Sequence, residues 1–174
     1  TISDRPFHQA SHYQALRCNV RNGAWFACVS EATRSDLLSV FPQAEPRAVT
    51  IHNMVSHHYR DEPSPAERAL EIVRTRLHDG VYQPHGEAPK PDFAGCEGPL
   101  EYLLIVSTIE PRKNHATLLA AWERLRSSRF AGLKLVVVGM LGWDHEAIIR
   151  KFRPWIDQGD LFVLEDVPSP ELRL

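Results

Sequence analysis

Short, unbroken apolar runs recur along the chain at Trp25–Val29, Ala48–Ile51, Tyr102–Ser107, Lys134–Val138 and Leu161–Leu164. Runs this short, without polar alternation, predict strands, and Trp25–Val29 reads as one buried on both faces. Between them the apolar positions follow a helical period. Ala10, Tyr13, Leu16 and Val20 predict a helix over Phe7–Asn22 that ends before Gly23. Ser30 caps a second helix running to Val40, with Glu31 favourable in its first turn. Ala69, Leu70, Val73 and Leu77 predict a third over Ala66–Leu77. Leu118, Leu119, Trp122 and Leu125 give a fourth over His115–Arg126, with Asn114 as its N-cap. Asp144 opens a fifth with Ala147, Ile148, Ile149 and Phe152 inward, ended at or just after Pro154. From Leu100 onward strand and helix alternate, which predicts a parallel sheet with right-handed crossovers.

Between these two regions the rhythm breaks. Arg60–Pro65 is linker chemistry, and Pro84–Pro99 is rich in Pro and Gly, so this span reads as an irregular connection. The chain starts at Thr1 without Met and stops at Leu174 in a stretch that reads as a helix start, the pattern expected of a fragment. The 174 residues suffice for one domain or parts of two. A formal charge of −2 gives no electrostatic case for nucleic acid. Three cysteines without CxxC spacing argue against a disulfide framework or thiolate zinc site, and point to a reducing, cytoplasmic setting. No apolar run reaches membrane length, so any membrane contact would be peripheral or lie outside this segment.

Ligands of parallel α/β sheets bind beyond the carboxyl ends of the strands. Those ends are Ser107–Lys113, Gly139–Trp143 and Glu165–Pro168. Arg112 and Lys113 are the adjacent cations there, at a strand-to-helix junction where free N–H groups and a positive helix end favour a phosphate or diphosphate. The alternative is a pair of solvated turn residues. Gly139 serves either a positive-φ turn or close packing, or else lets backbone approach a ligand. Trp143 either stacks on a ligand or staples the next helix. His52, His57 and His58 lack the further ligands that a metal site requires, and no metal is expected.

Four stretches, in order, resemble the retaining glycosyltransferases of family 4, which have the GT-B fold. Val106-Ser107-Thr108-Ile109-Glu110-Pro111-Arg112-Lys113-Asn114 resembles the start of their donor-binding domain. Cys28-Val29-Ser30-Glu31-Ala32-Thr33-Arg34-Ser35-Asp36-Leu37 resembles the last strand–helix unit of the acceptor domain. Val49-Thr50-Ile51-His52-Asn53-Met54-Val55 resembles the passage between domains. Leu135–Gly139 followed by Leu161–Leu164 resembles the next two donor-domain strands.

The resemblance implies an α/β chain of GT-B type, holding parts of two Rossmann-like domains with parallel sheets. Residues 1–51 would end the acceptor domain, 52–98 form the hinge and an insertion, and 99–174 begin the donor domain. The implied activity is sugar transfer, with retention, from a GDP-, UDP-, ADP- or dTDP-sugar to a saccharide or lipid-linked acceptor. No other cofactor is implied. A nucleotide-sugar epimerase and a non-catalytic scaffold of the same fold are the rivals. By resemblance Lys113 contacts the donor diphosphate, with Arg112 assisting it or facing solvent. Thr108 adds a hydroxyl, and Ser107, Gly139, Met140, Val163, Leu164 and Glu165 lie along the nucleotide and sugar. Ser30 falls near the cleft, although capping alone explains it. The chain departs from the family where Ser107-Thr108 replaces a frequent Gly-Arg and Met54 a frequent Gly. The family's acid–base His and its E-x7-E glutamates are expected outside the chain.

Overall fold

The computed structural model describes residues 5–57, 59, 65, 67–82, 93 and 99–172. The chain is mixed α/β and folds as two compact units, residues 1–56 and 57–174.

The first unit contains α1 (Arg5–Arg21), β1 (Phe26–Cys28), α2 (Glu31–Val40), a 3-10 segment over Pro42–Arg47, and β2 (Ala48–Thr50). β1 and β2 pair in parallel, Phe26 opposite Ala48. Ser30 Oγ accepts the Thr33 N–H at 3.1 Å, which is the N-cap of α2. Val20, Phe41 and Ala44 form a small core with Phe26, Leu37 and Leu38 against it. Trp25–Val29 reads as a strand buried on both faces, but here it is shorter and Trp25 stays 71% exposed. The reason is that β1 has one paired neighbour among the described residues and one covered face.

The second unit contains α3 (Arg68–Thr75), α4 (Asp79–Tyr82), β3 (Tyr102–Val106), α5 (His115–Ser128), β4 (Lys134–Val138), α6 (Glu146–Asp157) and β5 (Leu161–Leu164). Its sheet runs β3–β4–β5, all parallel. Leu135, Val136 and Val137 of β4 and every residue of β5 are fully buried, as continuous apolar runs require. Trp122, Phe152 and Ile156 cover the sheet from α5 and α6. α6 continues through Pro154 and ends shortly after it, at Asp157. Pro154 and Arg150 are both exposed, so water can satisfy the carbonyl that the proline leaves unpaired.

Residues 67–82, expected within the hinge and insertion, pack onto the β5 side of this sheet. Ile72, Val73, Leu77, Val81 and Tyr82 join its core. His78 N donates to Val163 O at 2.9 Å, Glu165 N to Arg76 O at 3.0 Å and Val163 N to the Tyr82 hydroxyl at 3.1 Å. Cys96, His58 and most of Pro84–Pro99 lie outside the described residues. Among the described residues no helix is long and apolar enough to cross a membrane.

Candidate functional site

Two loops at the carboxyl edge of the second sheet are laced together beyond the strands. Ser107 N donates to Val138 O at 2.9 Å, Ile109 N to Met140 O at 2.9 Å and Gly142 N to Ile109 O at 3.0 Å. Gly139 has φ 156°, and a Cβ there would overlap the Ser107 carbonyl oxygen. Close approach of two backbones therefore accounts for this glycine. Its N–H bonds Leu164 O at 2.9 Å, so the three strand ends are joined through it.

Arg112 and Lys113 ride on a one-turn 3-10 helix, Pro111–Lys113, just ahead of α5. Asn114 occupies the N-cap position in the left-handed conformation, φ 56°. Its carbonyl accepts the Thr117 N–H at 3.1 Å, while its side chain accepts the Thr117 hydroxyl at 2.8 Å. The expected side-chain cap is absent because the left-handed backbone redirects the carboxamide.

The two cations differ. Arg112 Nη2 donates to Glu110 Oε1 at 2.6 Å, with the Arg112 side chain 68% exposed and that of Glu110 only 9%. The exposed Lys113 ammonium makes no hydrogen bond or ion pair among the described residues. Its whole charge is open to an incoming anion, whereas that of Arg112 is shared with Glu110.

His115 opens α5 at 1% exposure, with Nε2 3.4 Å from Ser107 Oγ and its ring edge-on to Phe152. Burial pushes its pKa below the ordinary value, and Lys113 adds to this against the pull of the Glu110 carbonyl and carboxylate.

The other expected site residues are placed unevenly. Thr108 is exposed, and its methyl lies where a Cβ on Gly142 would stand. The Met140 side chain is exposed while its carbonyl serves Ile109. The side chains of Val163 and Leu164 are buried in the core, and their backbone is engaged as well, Val163 with His78 and Tyr82 and the Leu164 carbonyl with Gly139. The Glu165 carboxylate accepts Asp79 N–H at 2.7 Å and lies 3.4 Å from His78 Nε2, so it is engaged within the protein. Trp143 is exposed, and the Asp144 expected to start α6 is instead left-handed at φ 51°. A cavity of about 210 Å³ opens between the amino ends of α5 and α6, lined in part by His115, Asp144 and Lys151.

Sequence reasoning passed over Glu110, His78 and Asp79. Glu110 carried one signal, a carboxylate between a strand end and a proline. The other two carried none, because only the fold brings them to β5. Among the described residues no group of three or more His, Cys, Asp or Glu is arranged to hold a metal ion.

Compared with protein-family models and with curated proteins, the sequence gives no match.

Proposed function

We propose that this chain is the central part of a retaining, nucleotide-sugar-dependent glycosyltransferase of GT-B type, comprising the end of the acceptor domain, the hinge and the first half of the donor domain. The observation that carries the reading is the exposed Lys113, unpaired among the described residues and set between the end of β3 and the start of α5 in the order Glu-Pro-Arg-Lys-Asn. In sugar transfer negative charge develops on the departing diphosphate, and fixed cations and helix ends can stabilise it without a metal. Lys113 supplies a charge, and α5, fourteen residues long, turns its positive end to the same place. Thr108 and the backbone at Ser107 and Gly139 line the approach, with Met140 farther along the edge. The acceptor in this reading is a saccharide or lipid-linked glycan, and the enzyme works in the cytoplasm.

The test is a thermal-shift series on the full-length protein with UDP, GDP, ADP and dTDP and no added metal. A nucleotide at 100 times its Kd stabilises a protein by about 2.7 kcal/mol, a readable shift. One nucleotide raising the transition, with the rise lost in Lys113→Ala, supports the reading. No shift with any of the four overturns it in favour of a scaffold.

A further inference from the structure

We infer that Glu110 is a positioning residue of this site, holding the Arg112 guanidinium in a fixed orientation toward the donor diphosphate. The inference rests on the donor-site reading above. Glu110 precedes the Pro111–Lys113 turn in extended backbone, φ −151°, and its side chain lies close to Gly142. A Cβ on Gly142 would stand 3.1 Å from both Glu110 Cβ and Oε2, so the carboxylate packs closely against this glycine. A carboxylate this buried requires a charged partner, and Arg112 is its hydrogen-bonded cation.

An exposed arginine gains little stability from an ion pair, so the consequence is orientation. One Nη2 hydrogen bond anchors the guanidinium at its inner side. Its remaining N–H groups make no hydrogen bond among the described residues, and a planar fork held in this way suits two phosphate oxygens. The pair is neutral in sum, so Lys113 supplies the net charge of the turn and Arg112 the geometry.

The experiment is calorimetric titration of UDP, GDP, ADP and dTDP into full-length wild type, Glu110→Gln, Glu110→Ala, Arg112→Ala and the Glu110→Ala/Arg112→Ala double variant. A residue acting through Arg112 must lose its effect once Arg112 is gone. We expect Glu110→Ala to weaken binding of the nucleotide that wild type prefers by about tenfold, as for loss of one charged hydrogen bond. Glu110→Gln keeps an acceptor and stays within about threefold of wild type. In the Arg112→Ala background, Glu110→Ala then changes nothing further. An equal loss with and without Arg112 would mean a purely structural role and overturn the inference, as would tighter binding by both Glu110 variants. Wild type binding none of the four nucleotides would instead overturn the donor-site reading, and this inference with it.

Discussion

The carbonyl oxygen of Ser107 occupies the space where a side chain on Gly139 would begin. Two loops from neighbouring strands thus meet backbone to backbone at the sheet's carboxyl edge, and every expected phosphate contact hangs from one of them.

Gly139→Ala is therefore expected to push these loops apart. The added Cβ meets backbone, which cannot swing aside, at a φ that L-residues rarely adopt. A loss of about 2–4 kcal/mol in stability is expected from strain and overpacking together. Chemical denaturation of the variant measures it. A loss below half a kilocalorie, the usual size of a neutral surface change of about 0.5 kcal/mol, would show that the contact is not needed.

The two cations should separate in mutagenesis. Lys113→Ala removes an unpaired charge and should cost about 1.5–3 kcal/mol in nucleoside-diphosphate affinity. Lys113→Arg restores charge on a different geometry and should recover part of it. Neither change should move the melting temperature of the free protein, since Lys113 is exposed and supports nothing around it. Calorimetric affinity and the melting curve together check both halves.

At the opposite end of the sheet, Asp160 holds two cations. Its carboxylate meets Arg126 Nη1 at 2.6 Å and Lys134 Nζ at 2.5 Å. Arg126 also lies 5.0 Å from the ring centres of both Trp122 and Trp155. Asp160→Asn leaves two largely buried cations without their counter-charge, and a loss of about 2–4 kcal/mol follows. Denaturant midpoints for Asp160→Asn and Arg126→Met should differ, because methionine fills the space between the indoles without a charge.

His115 makes stability depend on pH in one direction. Its folded-state pKa lies below the ordinary value, chiefly through burial, so the unfolded chain binds its proton first as pH falls. The contribution is complete above the unfolded value of about 6.5 and is lost as pH falls through the folded value. His115→Leu should flatten the melting temperature across that mildly acidic window. An unchanged slope would show that His115 does not carry it.

Much of this architecture was legible in the sequence. Leu135–Val138 and Leu161–Leu164 contain no polar residue, and such runs need burial on both faces, so strands inside a parallel sheet were the answer the composition allowed. Ser30 declared its helix start because its side chain caps from extended backbone, φ −155°. Asn114 looked the same but was not, since its backbone is left-handed and sequence alone does not distinguish the two conformations. Pro154 marked the end of α6 to within three residues, and the helix runs on to Asp157 where the exposed Arg150 carbonyl can turn to water. The site was legible as a cluster of residue types at one strand end, yet Glu165 and Val163 could not be sorted from it.

What the sequence by itself determined is the set of elements that depend on near neighbours: apolar runs, helical faces, caps and the strand–turn–helix that carries Arg112 and Lys113. Only the tertiary structure decided which polar groups are already engaged. It paired Arg112 with Glu110, gave Lys113 no partner among the described residues, and set Glu165 against Asp79, eighty-six positions away in sequence. It also brought residues 67–82 to the side of β5. Local propensity is written in adjacent residues, whereas the availability of a charge depends on what folding brings beside it.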